Sequence, residues 1–378
     1  MYSVHFYGRM LADTPRMDAY SAALRRAVQP GAVVLDLGCG PGVFALQACQ
    51  LGARRVYAVE PDNAIQIARE AARANGFADR IEFFQSLSTE ITLPERADVI
   101  ISDLRGVLPW YQQHIPSIID ARTRLLAPDG VLIPRRDVVW AAIVEAPDRY
   151  QEIVAPWQSN GLDLSAGKRL VTNTWRKTPI KPDELLVQAS CWATLDYHEI
   201  QSPDIRAEIV WQVDRSGTAH GLAVWFDSEL IDEIGFSNHP SGPELIYGNG
   251  FFPFSTPIEV VEGDRILVTL RADFIRDDYV WRWDSDFFAG ESVTPKASFK
   301  QSTFFGAPLS LEQMRKQAAS YKPALGERGE SRSFIMELMT GENSLAEIAE
   351  RVAERFPQRY ADSQDALNEV TAVSREFG

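Results

Sequence analysis

Along the first third of the chain, apolar runs of strand length alternate with stretches that repeat apolar residues at helical intervals. Residues 33–37, 56–60, 81–84 and 98–102 are the apolar runs, and 44–51 and 64–75 carry the helical spacing between them. Strands alternating with helices predict a doubly wound parallel sheet. Residues 121–126 read as a helix end, Pro128-Asp129-Gly130 as a turn, and 131–133 as a closing strand stopped by Pro134. From 135 to 308 the period falls to two. Residues 138–144, 186–193, 205–213, 221–226 and 265–270 alternate as antiparallel strands do, and Trp and Tyr are frequent. A β-barrel or sandwich is expected there. Residues 149–180 interrupt it with a polar, Trp-bearing stretch expected to form an arm. From 309 to 378 the chain is charged and helical. Ser344 and Glu347 are spaced as a capping box, and Leu345, Ile348, Ala349 and Val352 form one apolar stripe. The expected fold class is α/β in three regions: a parallel-sheet domain over 1–134, a β-barrel domain over 135–308 and a helical domain over 309–378.

Candidate chemistry gathers at the turn Gly38-Cys39-Gly40-Pro41-Gly42, where the first strand meets the next helix. Glycine lets a backbone fold sharply and lie against a ligand with no Cβ between them. Glu60 closes the following strand, where a carboxylate accepts bonds from ribose hydroxyls. A nucleoside-containing cofactor is therefore expected, and three details favour S-adenosylmethionine over a dinucleotide. Val43 stands just past a G-x-G-x-G turn, where a G-x-G-x-x-G pyrophosphate cradle has its third glycine. Pro41 removes an N–H that a phosphate would use. Asp36 adds negative charge, which repels phosphate and suits an ammonium. The cofactor-binding candidates from this stretch are Asp36, Gly38, Cys39, Gly40, Gly42, Glu60 and Pro61; Cys39 reads equally as a small space-filling side chain. Methyl transfer from a sulfonium requires a nucleophile with a free lone pair held in line with the methyl carbon, and a group to take its proton where it has one. Such groups project from the carboxyl ends of the strands. Ser102 stands there as a further cofactor-facing residue and Asp103 as the catalytic candidate, with a loop or helix cap as its structural reading.

Composition narrows the partners more than it changes the fold. A chain of 378 residues exceeds one compact core, so two or three domains are expected. A net charge of −14 opposes binding to bare nucleic acid. There is no run of about 18 apolar residues, so no membrane span is expected. The start Met1-Tyr2-Ser3-Val4-His5 lacks the basic and apolar regions of a secretory signal. Cys39, Cys49 and Cys191 have no metal-ligand spacing, which argues against a disulfide framework or a metal site and fits a reducing cytoplasm.

At these residues the chain resembles the protein arginine methyltransferases, over about residues 2–290. Met10-Leu11-Ala12-Asp13-Thr14-Pro15-Arg16 is similar to the family's Met-Leu-x-Asp-x-x-Arg, 34–43 to its glycine motif, and Glu60 to its ribose-binding glutamate. Residues 102–112 look like its carboxylate loop, Ser-Glu-x-x-Gly followed by a second glutamate. Residues 126–134 match its Leu-x-Pro-x-Gly-x-x-x-Pro closure, and 220–227 and 237–264 look like the barrel segments that end Trp-Phe-Asp and carry a Thr-His-Trp loop. The resemblance implies a Rossmann-like methyltransferase core, Arg16 against the cofactor's carboxylate, Met10 beside the sulfonium, Leu87 and Ser88 near the adenine, and a homodimer formed through the arm.

Three departures fall in the acceptor half. The family's two glutamates are Asp103 and Gln112 here, one shorter and one neutral. A buried guanidinium asks for charge-assisted bidentate partners, and losing one partner of a buried pair costs about 3–5 kcal/mol. Arg105 puts a cation where a cationic substrate would dock, with a solvated surface arginine as its other reading. The Thr-His-Trp triplet is Leu245-Ile246-Tyr247, without its histidine. The expected function is an S-adenosylmethionine-dependent methyltransferase acting on a peptide or small natural product, at an amide, amine, hydroxyl or carboxylate. Asp103, Gln112 and His114 are its catalytic candidates, His114 as a proton shuttle. A genuine protein arginine N-methyltransferase and a cofactor-binding interaction protein without catalysis are the alternatives. Residues 328–378 resemble the PqqD-like peptide-recognition fold, which shares its pattern with winged helices. That resemblance implies capture of a leader sequence and delivery by tethering; a helical cap on the barrel is the other reading.

Overall fold

The computed structural model describes residues 3–158 and 161–378; Met1 and Tyr2, which open the start read above as lacking a signal, and residues 159–160 of the expected arm lie outside them. The chain divides into two compact units, Met1–Pro308 and Leu309–Gly378.

The first unit begins with α1 (Val4–Ala12) and α2 (Thr14–Ala27). The alternating section follows as β1 (Val33–Leu37), α3 (Val43–Gln50), β2 (Arg55–Val59), α4 (Ile65–Ala74), β3 (Ile81–Phe84), β4 (Ala97–Ser102), α5 (His114–Arg124) and β5 (Leu126–Ile133). The five strands are parallel, in the order β3-β2-β1-β4-β5. All five residues of β1 are buried, as a central strand covered on both faces requires. Strand order reverses between β1 and β4, and in such sheets a ligand crevice opens beyond the carboxyl ends at the reversal. Gly38, Glu60 and Asp103 follow the ends of β1, β2 and β4.

The period-two section forms antiparallel sheets. β6 (Arg136–Val144) is followed by α6 (Pro147–Val154), α7 (Ser165–Val171) and the short β7 (Arg176–Thr178). Then come β8 (Ser190–Asp196), β9 (Ile205–Gln212), β10 (Gly217–Ile231), β11 (Ile234–Ser237), β12 (Asn249–Val260), β13 (Arg265–Ile275), β14 (Asp278–Phe288), β15 (Ala297–Ser302) and α8 (Thr303–Gly306). One sheet runs β7-β12-β10-β6-β8 with β11 beside β10, the other β15-β14-β13-β9. The segment expected as an arm is tied back at both ends: the Tyr150 hydroxyl donates to the Ser255 carbonyl at 3.0 Å, and β7 pairs with β12. One core runs from the parallel sheet into the barrel. Trp110, on the loop after β4, packs 4.6 Å from Trp192, which lies 5.7 Å from Trp281 (ring centroids). Large aromatic burial of this kind pins the loop that carries Asp103 to the barrel interior.

The second unit contains α9 (Leu311–Gln317), α10 (Glu327–Leu338), α11 (Leu345–Arg355) and α12 (Ser363–Phe377), and no strand, so it forms no β-wing. The capping box is made: Ser344 Oγ accepts from the Glu347 N–H at 3.3 Å and Glu347 Oε2 accepts from the Ser344 N–H at 2.7 Å. Ile348, Ala349 and Val352 pack against Ile335, Val370 and Val373 in a core of the unit's own. Leu345, expected in the same stripe, stays exposed in the first turn of α11. Among the described residues, no helix is long and apolar enough to cross a membrane, and no group of His, Cys, Asp and Glu is arranged to hold a metal.

Candidate active site

The cofactor end of the crevice is built on backbone. Gly38, Gly40 and Gly42 have φ of +76°, +49° and +83°, conformations that disfavour any side chain. A Cβ at Gly40 would stand 2.9 Å from the Tyr7 ring, and one at Gly42 would stand 2.6 Å from the Ala68 Cβ on α4. Gly42 thus provides the close packing that a third glycine at 43 gives a dinucleotide fold. The Gly38 and Cys39 N–H groups both donate to the Val59 carbonyl at 2.9 Å, which fixes the turn to β2. Glu60 holds the next corner: Oε2 accepts from the Gly40 N–H at 3.0 Å and Oε1 from the Asp62 N–H at 2.9 Å, and burial raises its pKa.

Two sequence candidates of this end turn inward. Asp36 is buried and its Oδ2 accepts from the Ala45 N–H at 2.9 Å, which caps the first turn of α3 from inside. Burial pushes its carboxyl up to about 7, against the Ala45 bond. Ser102 is fully buried, its Oγ without a hydrogen-bond partner among the described residues, and its carbonyl accepts from the Tyr20 hydroxyl at 3.3 Å. The other candidates, apart from Gly42 against α4, share adjoining hollows. Met10, Arg16, Gly38, Cys39, Gly40 and Asp103 line the first. Glu60, Pro61 and Gln112 join Met10, Gly38 and Asp103 in the second. Leu87, Ser88 and His114 line the third with Pro61 and Gln112.

The acceptor end is built from side chains that hold one another. Arg16 forms a buried, two-pronged ion pair with Asp103, its Nε 2.8 Å from Oδ2. The Tyr247 hydroxyl lies 2.8 Å from both Asp103 oxygens and accepts from Arg16 Nε at 3.0 Å. Burial alone would raise the Asp103 pKa, but the charges of Arg16 and Arg105 outweigh it and hold the carboxyl below its usual range.

Arg105 is no surface arginine. Its side chain is completely enclosed, and Nη1 donates to Asp137 Oδ1 at 2.9 Å and to Ser228 Oγ at 2.7 Å. Its Nε stands 3.6 Å from Asp103 Oδ1, and the Phe226 and Phe236 rings lie against it. Asp137 Oδ2 accepts from the Tyr197 hydroxyl at 2.6 Å, and that oxygen lies 3.1 Å from His114 Nε2. Since Tyr197 gives its one proton to Asp137, His114 Nε2 carries the imidazole hydrogen and Nδ1 is left as a bare acceptor. Burial, reinforced by Arg105, lowers the His114 pKa to about 3. The expected proton shuttle is therefore a neutral interior imidazole at ordinary pH. Gln112 is exposed, with φ of +41°, and its N–H donates to Asp278 Oδ1 at 3.3 Å.

Sequence reasoning passed over Tyr7, Tyr111, Asp137, Lys177 and Tyr197. Tyr7 had a weak signal, one helical turn before Met10 in a motif already marked. Tyr247 was visible only as a departure from Thr-His-Trp, with no hint that its hydroxyl would meet Asp103. Asp137, Lys177 and Tyr197 come from the barrel region and gave none.

Comparison with known proteins follows this division of the chain. Residues 20–145 match a family model described as ribosomal protein L11 methyltransferase, and 135–285 match the arginine methyltransferase oligomerization subdomain. The chain is 31% identical over 299 residues to protein arginine N-methyltransferase PRMT10 of Oryza sativa subsp. japonica, covering 69% of this chain and 78% of that one. A solved structure of Arabidopsis thaliana protein arginine methyltransferase 10 superposes with a TM-score of 0.70 at 25% identity, over 79% of this chain and 97% of that one. The Trypanosoma brucei PRMT1 enzyme-prozyme heterotetrameric complex with AdoHcy shares the fold, with a TM-score of 0.71 at 23% identity over 80% and 98% of the two chains.

Proposed function

The chain belongs to the protein arginine N-methyltransferase family, and on that footing we propose that it carries the methyl group of S-adenosylmethionine to an acceptor other than a guanidinium. It is an S-adenosylmethionine-dependent methyltransferase. The residues present suit that cofactor. The glycine turn leaves room where a Cβ would collide with Tyr7 or Leu104. Glu60 would accept from ribose hydroxyls, Arg16 would face the carboxylate, and Leu87 and Ser88 would flank the adenine. The bound group supplies an activated methyl carbon; the protein orients it and the acceptor and keeps water away.

One observation carries the reading of the acceptor. The cavity beyond Met10 is walled by Arg105, Lys177, Tyr111 and Tyr247, with no acidic side chain among its described lining residues, while Asp103 is already committed to Arg16 and Tyr247. A guanidinium brought there meets the Lys177 ammonium and finds no free carboxylate pair. A peptide or small natural product is the acceptor in this reading. The separate helical unit would serve to retain a peptide, and the arm segment to form a homodimer. A cytoplasmic setting agrees with three unpaired cysteines.

The relatives' names favour a second reading, methylation of protein arginine, for which Asp103 would have to leave Arg16. Incubation with methyl-labelled cofactor and an arginine-rich peptide, followed by mass analysis, separates the two. No label on arginine is expected; transfer to arginine at a sustained turnover overturns the first reading.

A further inference from the structure

The two sides of the crevice differ in charge. Glu60, Asp62 and Asp103 line the cofactor side, and Arg105 and Tyr111 are shared by both sides. Across Met10 the cavity has Arg105 and Lys177. The Arg105 guanidinium is sealed, so the cation within reach of a ligand is Lys177, which is exposed on β7. Its stem crosses Gly248, where a Cβ would lie 3.0 Å from the Lys177 Cε, and its Nζ donates to the Ile246 carbonyl. An ammonium has three hydrogens, so two remain for an acceptor. Burial of its stem lowers the Lys177 pKa, Arg9 pushes it the same way, and Glu244 and Asp13 oppose them. Of these, Asp13 is occupied, its Oδ2 accepting from the Ile246 N–H at 2.7 Å. Tyr111 forms another wall, its ring packed so close to Gly106 that a Cβ there would stand 2.7 Å away.

Among the described residues around it, no carboxylate or imidazole stands free as a base. Asp103 is tied up by Arg16 and Tyr247, Gln112 is an amide, His114 borders the adjoining hollow but has both ring nitrogens buried, Tyr247 is a buried phenol, and Glu60 and Asp62 already accept from backbone N–H groups. A neutral nucleophile has to lose a proton as it takes the methyl group. A carboxylate has none to lose.

We propose that the methyl acceptor is a carboxylate, held by Lys177 at the mouth of the cavity with Tyr111 beside it. This rests on the reading that the acceptor is not a guanidinium. The unbound carboxylate oxygen attacks the methyl carbon. A C–O bond forms and the C–S bond breaks with its electron pair left on sulfur. The products are a methyl ester and S-adenosylhomocysteine, and no proton moves.

Calorimetry on the full chain saturated with S-adenosylhomocysteine tests the binding. N-acetylglutamate α-amide is expected to bind at least about ten-fold more tightly than N-acetylglutamine amide, as a charge-assisted bond to Lys177 implies. Lys177→Met is expected to erase most of that preference and to leave S-adenosylhomocysteine affinity unchanged. Equal binding of acid and amide, or tightest binding by N-acetylarginine amide, overturns the inference. A second measurement supplies methyl-labelled cofactor with acidic peptides in one arm and with succinate and benzoate in another. Label released by mild alkali as methanol identifies the ester, and the arm that carries it separates a peptide from a small acid. Alkali-stable label on a nitrogen other than arginine's overturns the carboxylate and leaves the proposed function standing; label on arginine removes both. Absence of label from every carboxylate also overturns the inference.

Discussion

The cofactor end of the crevice is held by backbone N–H groups bonded to carboxylates close in sequence, whereas the acceptor end is held by side chains that meet across the whole first unit. Gly40 and Glu60 are 20 residues apart, Asp36 and Ala45 nine, Glu60 and Asp62 two. Arg16 and Asp103 are 87 apart, Arg105 and Ser228 123, Arg16 and Tyr247 231. A turn fixed by positive φ and backbone donors demands glycines and a carboxylate at set spacings. A side-chain network can exchange members so long as its buried charges stay paired. The acceptor end therefore has the freedom to take a new substrate while the cofactor end does not.

The strongest way to break this contrast is to unpair the network. Arg105→Met leaves Asp137 buried with its charge uncompensated, since Nη1 of Arg105 is its cationic partner at 2.9 Å. The expected loss is about 3–5 kcal/mol of unfolding free energy in denaturant titration. Adding Asp137→Leu should recover much of it, because an apolar pair replaces an ion pair at little net cost. A loss under about 1 kcal/mol for Arg105→Met alone would mean that the charges do not hold this end.

The backbone end is tested by Gly42→Ala. It combines a left-handed residue, worth about 1–2 kcal/mol, with a Cβ placed 2.6 Å from that of Ala68. Overpacking adds about 1–3 kcal/mol. Gly31→Ala is the control: its φ is +87° but nothing lies within 4 Å of the added Cβ. Only the backbone part should appear there, and equal losses at the two sites would remove the packing role of Gly42.

The same distances explain what the sequence made legible. The five strands of the parallel sheet, the glycine turn and Glu60 repeat at short range, so periodicity and spacing find them. Asp103 is visible because it follows a strand whose end points at the crevice. That Arg16 and Tyr247 would pair with it is not visible, because Arg16 comes from the N-terminal helix α2 and Tyr247 from the barrel, far apart in sequence from Asp103. Arg105 reads as surface when judged from its loop alone; the burying groups, Asp137, Ser228, Phe226 and Phe236, all lie in later strands or connections. His114 looks like a titrating group until the Tyr197–Asp137 pair and its burial are seen. Asp36 adjoins the turn in sequence, but nothing in its spacing says that the Ala45 N–H would draw it inward.

A smaller effect is expected where the two kinds of holding meet in one residue. Glu60→Gln keeps the volume and one acceptor oxygen for the Gly40 or Asp62 N–H, but removes the charge offered to ribose hydroxyls. Hydrogen bonds to a charged group contribute about 1.5–3 kcal/mol, so S-adenosylhomocysteine should bind roughly ten- to a hundred-fold more weakly by calorimetry. Unchanged affinity would detach Glu60 from the cofactor and leave it as a brace for the turn.

The most gradual effect belongs to Asp36, and pH reads it. Burial sets its folded pKa at about 7, above an unfolded value of about 3.9. Between those values the folded state holds a proton that the unfolded state has released, so stability falls as pH rises. The cost of keeping the carboxylate ionised inside the protein is complete above about pH 7 and fades as pH drops towards 4. The slope is at most about 1.4 kcal/mol per pH unit. Glu60 moves in the same direction through its own burial, so the informative quantity is the difference between the native chain and Asp36→Asn. Asparagine still presents an oxygen to the Ala45 N–H but does not titrate. The variant should gain stability relative to the native chain as pH rises from 5 to 7, and then run parallel to it. Parallel curves throughout would mean that Asp36 stays ionised across the window, because the first turn of α3 stabilises its charge more than burial penalises it.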